Sequence, residues 1–179
     1  ARMRKKYSLG EQYVLHVGAI TPRRNLGRLL EAFASVRRRA PHLMLMLAGS
    51  VEAPSPPIRI EIERMGLGGS VRASGYVSAE DLPDLYGAAS AVVYPSLYEG
   101  FGLPVIEAMA CGVPVLASAT SCFPEVAGDA ALLIDPESTE AIAEGLSSIL
   151  SDVALRERLI SRGLARAAEF TWERTARGT

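Results

Sequence analysis

Short unbroken apolar runs alternate with longer amphipathic stretches along this chain, and no other feature restricts its fold as much. Apolar runs at 13–17 (YVLHV), 43–47 (LMLML), 91–94 (AVVY), 113–117 and 131–134, with a shorter candidate at 71–74, make six expected strands. A strand wetted on one face alternates polar and apolar residues, whereas a continuous run fits a strand buried on both faces of a parallel sheet. Helical patterns lie between the strands. Leu26, Leu29, Leu30, Phe33 and Val36 recur at three- and four-residue spacing and predict a helix over 25–40. A short helix is expected over 58–65, after a loop marked by Pro54, Pro56 and Pro57. Ser78 is placed to cap a helix reaching about Gly87, with Asp81 completing a capping box. Pro104 suits the first position of a helix that runs to Cys111 and stops at Gly112. Residues 139–170 read as two helices broken near Ser151 and Asp152.

Strands alternating with helices imply right-handed crossovers, and hence an α/β fold of Rossmann-like type: three α/β/α layers around a mainly parallel six-stranded sheet. Ligands of such sheets bind beyond the carboxyl ends of the strands, where the strand order reverses. The residues expected there are 18–25, 49–50, 75–77 and 95–103.

Composition narrows the function. With 179 residues, 49% of them hydrophobic and 22% charged, the chain suits one globular domain, and a net charge of −1 argues against a nucleic-acid partner. Cys111 and Cys122 stand without metal-ligand spacing, which points to reduced thiols and a cytoplasmic setting. No apolar run approaches the roughly 20 residues of a membrane span, and no apolar stretch follows the basic start, so no leader is expected. His16 reads as a packed core residue, His42 as solvated, and Trp172 as packing the end of the last helix. No Asp-x-Asp or clustered ligand set occurs, so neither metal nor cofactor is expected.

Two loops at the expected edge carry groups suited to an anion. In 18–25 (GAITPRRN), Arg23 and Arg24 add positive charge at a helix start, an end that already favours anions. In 99–107 (EGFGLPVIE), Gly100 and Gly102 let the backbone pass close to a ligand, with Phe101 between them. Pro104 has no N–H, leaving Gly102, Leu103 and Val105 as the donors expected near that turn. Glu99 precedes the turn and Glu107 lies about one helical turn inside. An isolated pair of glutamates would simply be solvated or complement the helix dipole. Their setting separates them from such a pair.

The Glu-x7-Glu spacing within EGFGLPVIEAMACGVPV resembles the donor-site motif of retaining family 4 glycosyltransferases of the GT-B fold, the glycosyl transferases group 1. VGAITPRRNLGRLLEAF, GYVSAEDLPDLYGAASAVVYPS and PEVAGDAALLIDP are similar to other parts of that family's C-terminal, donor-binding half. The resemblance implies that Gly102 and Leu103 offer amides to a diphosphate, and that Glu107 accepts from the ribose hydroxyls. Glu99 would hold hydroxyls of the donor sugar, while Tyr76 and Val77 would flank the base. Gly18, Gly49, Gly100 and Phe101 would complete the donor pocket. Arg24 falls where the family usually has lysine. Ala19 stands where many members have arginine, a charge that Arg23 would supply.

The same resemblance implies transfer of a hexose, mannose first, from a nucleoside-diphosphate sugar with retention, Glu99, Arg23 and Arg24 being the catalytic set. Residues 1–179 would then be one donor-binding domain, inactive alone. A glycan or lipid-linked acceptor, and any peripheral contact with the inner face of the membrane, would belong to an N-terminal domain absent from this chain. The alternative is a non-catalytic nucleotide-sugar-binding or regulatory domain. A dehydrogenase is disfavoured because no Gly-x-Gly-x-x-Gly follows the first strand. A pyridoxal-phosphate phosphorylase is disfavoured because lysine occurs only at Lys5 and Lys6.

Overall fold

The computed structural model describes residues 2–50, 58–171 and 176. Strands β1 (Tyr13–Val17), β2 (Met44–Ala48), β3 (Val71–Gly75), β4 (Ala91–Tyr94), β5 (Val115–Ser118) and β6 (Leu132–Ile134) form one sheet in the order β3-β2-β1-β4-β5-β6. Every strand pairing in it is parallel. The strand order reverses between β1 and β4, which leaves a crevice at their carboxyl ends.

Burial on both faces explains the unbroken apolar runs. Successive side chains of a strand point to opposite faces. Val14, Leu45 and Leu47 pack into one cluster with Leu29, Leu30 and Phe33 of helix α2 (Leu26–Arg37). Their neighbours Leu15, Met46 and Val92 pack into a second cluster with Val105 and Met109 of α5 (Leu103–Ala110). Each fully buried leucine contributes roughly 1.5–3 kcal/mol relative to leaving it in water.

The remaining helices are α1 (Arg2–Lys6), α3 (Ile58–Arg64), α4 (Leu82–Gly87), α6 (Phe123–Ala127), α7 (Thr139–Ser151) and α8 (Val153–Ala167). The break at Ser151–Asp152 is as expected, and Asp152 accepts from the Leu155 amide to cap α8. The strands begin and end within two residues of expectation.

Four details differ. The helix expected over 25–40 is preceded by a separate 3-10 turn (Pro22–Arg24), because Asn25 adopts a left-handed conformation (φ 58°) that ends one element and starts the next. Ser78 and Asp81 form no capping box. The Ser78 carbonyl accepts from the Asp81 amide, while the Asp81 carboxylate turns to Arg2, Lys6 and Tyr7. The hydrogen bond from Lys6 holds the Asp81 carboxyl below its usual range. Pro104 occupies the second helical position, Gly102 (φ 83°) being the N-cap, and α5 stops one residue before Cys111. Finally, α1 and α6 have no counterpart among the expected elements. The proline loop at 54–57 and Trp172 lie outside the described residues.

Candidate functional site

The crevice between β1 and β4 is walled by the loops that follow them. Gly18 follows β1, and its N–H donates to the Ala48 carbonyl. A side chain at Gly49 would place Cβ 1.9 Å from the Gly18 carbonyl oxygen, so only glycine lets the ends of β1 and β2 meet this closely. The 3-10 turn then brings Arg23 and Arg24 across to the β4–α5 loop, where the Leu97 N–H donates to the Arg23 carbonyl at 2.9 Å. Asn25 ties the two walls together: its side-chain amide donates to the carbonyls of Pro95 (3.0 Å) and Pro136 (2.7 Å).

Glu99 meets both arginines. Its Oε2 accepts from Arg23 Nη1 at 3.0 Å, and its Oε1 pairs with Arg24 Nη1. Glu99 is 6% exposed and Arg24 9%, so this is an ion pair taken largely out of water. Replacing Glu99 would take its carboxylate from both arginines at once, at a cost of about 3–5 kcal/mol. Two guanidiniums against one carboxylate leave these three side chains with surplus positive charge. An anion entering the crevice therefore competes with Glu99 for its arginines, a coupling that spacing alone did not suggest.

The turn at 100–103 is held from below. Gly102 has φ 83°, and a Cβ there would stand 3.0 Å from the Phe123 ring. Ser121, itself at φ 59°, accepts from the Glu99 N–H at 3.0 Å and donates to the Glu99 carbonyl at 2.7 Å. Leu103 opens α5, where an N–H has no carbonyl one turn back to bond. Val105 is not a free donor as expected, because its N–H donates to the Gly102 carbonyl. Phe101 and Leu103 are exposed, and Phe101 meets Phe170 edge-on at 6.0 Å, bringing the segment after α8 to this loop.

Glu107 has a partner of its own. The Tyr86 hydroxyl on α4 donates to its Oε2 at 3.0 Å. Tyr76, at the end of β3, is 82% exposed on the rim, whereas the Val77 side chain is buried in the core and leaves only its backbone for a ligand. The structure thus joins Arg23, Arg24, Glu99 and the Gly18 turn directly. Tyr86, Ser121, Asn25 and Phe170 are the residues that sequence reasoning missed. Only Asn25 had a signal, being a residue type that tolerates a left-handed turn.

His16 lies fully buried on β1, as expected, with Nδ1 2.9 Å from the Val93 carbonyl. Burial, together with the Arg24 charge, pushes its pKa down to about 4 against the pull of that hydrogen bond. His42 is exposed, and both cysteines are free thiols whose pKa burial raises. Among the described residues, no group of three or more His, Cys, Asp or Glu side chains converges. No described helix is long and apolar enough to cross a membrane.

A sequence profile described as "Glycosyl transferases group 1" matches residues 2–166. The chain belongs to this glycosyltransferase family. Among its glycosyltransferase relatives, O-antigen chain mannosyltransferase B of Escherichia coli is 44% identical over 174 residues, which cover 94% of this chain and 45% of that protein. Sucrose-phosphate synthase from Thermosynechococcus elongatus superposes with a TM-score of 0.85 at 33% identity, over 98% of this chain and 46% of the other. The C-terminal domain of a glycosyl transferase group 1 family protein from Francisella tularensis gives 0.82 at 26% identity, over 93% of this chain and 89% of that one. This glycosyltransferase chain therefore spans less than half the length of the mannosyltransferase it resembles, and its fold is that of one half of a GT-B enzyme.

Proposed function

We propose that this domain holds the donor of a retaining hexosyltransferase: a nucleoside-diphosphate sugar, with GDP-mannose the first choice. The observation that carries the reading is the meeting of Arg23, Arg24 and Glu99 at the sheet's switch point, beside the N-terminus of α5. The diphosphate takes the arginines and the amides of Gly102 and Leu103. Glu99, released from them, turns to the sugar hydroxyls, and Glu107 accepts from the ribose. As the anomeric carbon–oxygen bond breaks, charge builds on the departing phosphate, where fixed cations and helix N–H groups stabilise it most. The acceptor oxygen bonds the anomeric carbon on the face the phosphate leaves, and its proton passes to a phosphate oxygen. Arginine and the helix end answer the diphosphate charge here without a metal.

Mannose is favoured by the 44% identity to a mannosyltransferase. A second, acceptor-side domain supplies the glycan or lipid-linked acceptor and any contact with the inner face of the membrane, in a cytoplasmic enzyme. The 179-residue domain binds donor but does not transfer its sugar alone.

Thermal unfolding with GDP-mannose, UDP-glucose and dTDP-glucose tests this. At 100 times Kd a ligand stabilises by about 2.7 kcal/mol, on the order of 5–10 °C for a domain this size. GDP-mannose should produce that shift. A shift with a UDP or dTDP sugar alone would replace the mannose assignment, and no shift with any would overturn donor binding.

A further inference from the structure

We propose that Tyr86 is a positioning residue for the donor: its hydroxyl fixes the rotamer of the Glu107 carboxylate that receives the ribose diol. The inference rests on the reading of Glu107 given above. Tyr86 is 1% exposed on α4, and its hydroxyl crosses to α5 to donate to Glu107 Oε2 at 3.0 Å. Glu107 itself is exposed. A solvated glutamate at such a place spreads over many rotamers, and holding one of them costs entropy each time a ligand binds. An immobile donor beneath it removes that cost beforehand.

The donor is immobile for visible reasons. The Tyr94 hydroxyl lies 3.5 Å from that of Tyr86, at the outer limit of a hydrogen bond, and the Tyr94 ring packs on His16 (5.1 Å) and Phe123 (6.3 Å). The phenol also stays protonated at every physiological pH, because burial, reinforced by Tyr94 and Glu107, raises its pKa far above the ordinary value. Tyr86 therefore acts as a permanent donor to Oε2. Oε1 and the second lone pair of Oε2 remain to accept from two vicinal hydroxyls. A buried phenol needs some acceptor in any case. Only a ribose-specific readout separates positioning from mere satisfaction of the phenol.

Calorimetry with GDP and with 2′,3′-dideoxy-GDP, on the wild type, Tyr86→Phe, Glu107→Gln and the double variant, supplies that readout. Phenylalanine keeps the ring and its packing, so the fold should persist with a small drop in Tm. Tyr86→Phe should weaken GDP about tenfold, leave the dideoxy nucleotide unchanged, and add nothing in the Glu107→Gln background. Unchanged GDP affinity in Tyr86→Phe, with Glu107→Gln impaired, would overturn the inference while leaving the role of Glu107 standing. An equal loss for both nucleotides would also overturn it, by showing a general structural effect. Unchanged GDP affinity in Glu107→Gln would remove the underlying reading of Glu107, and the inference with it.

Discussion

Charge at the residue scale is concentrated in Glu99 and Arg24, both buried and paired with each other, as buried charges must be. Arg23 is half-exposed and completes the cluster from its wet side. This arrangement keeps two cations aimed at the crevice without leaving an unpaired charge in the interior. His16, one layer below, titrates by a different logic. It is held neutral, with a folded pKa of about 4 against 6.5 in the unfolded chain. As pH falls, the unfolded chain takes up the proton first. The stability His16 contributes is therefore intact above pH 6.5 and lost progressively as pH falls towards 4. Between pH 6.5 and 5 that loss is on the order of 1.5 kcal/mol. Urea unfolding across this range should show it in the wild type and not in His16→Gln; the same slope in both would contradict the assignment.

At the scale of elements, the site depends on how closely the strand ends approach. Gly49→Ala would drive a Cβ into the Gly18 carbonyl at 1.9 Å, with backbone on both sides and no side chain able to yield. It should cost about 3 kcal/mol or more, read as a lowered urea midpoint, and displace the turn that carries Arg24. A variant as stable as the wild type would show that the β1 and β2 ends can separate freely. The elements that were legible beforehand share a reason. Strands such as 13–17 are unbroken apolar runs and helices such as 26–37 repeat their apolar residues at three- and four-residue spacing, and patterns of that kind are what a sequence displays. The errors fall where tertiary partners decide. Asp81 was expected to complete a capping box with Ser78, but the basic α1 claims its carboxylate. Asn25 looked like the first residue of a helix, but its amide is spent on Pro95 and Pro136, which lie far along the chain. For the site, the motif located Glu99 and Glu107, and the two arginines stood out as adjacent charges. Ser121 and Tyr86 are ordinary residues made important by what folds against them.

Over the whole molecule, one parallel sheet presents all of these loops along a single edge. Its two cores, one on each face, bear α2 and α7 on one side and α5 and α6 on the other, while α8 reaches both, with Leu159 in the first and Ala167 in the second. The rim of that edge is apolar as well as charged, with Tyr76, Leu97, Tyr98, Phe101 and Leu103 exposed along it. The chain spans less than half of its mannosyltransferase relative, so the assembled active site is proposed to close over this rim from a second domain. On the proposed reading, donor binding is the part of the activity that falls to this half. The most direct measurement is calorimetric titration of GDP-mannose into the wild type and into Glu107→Ala. The wild type should bind, and the variant should lose on the order of 100-fold in affinity, as expected when a charged hydrogen-bond acceptor for the ribose is removed. Equal affinity in the two would contradict the account.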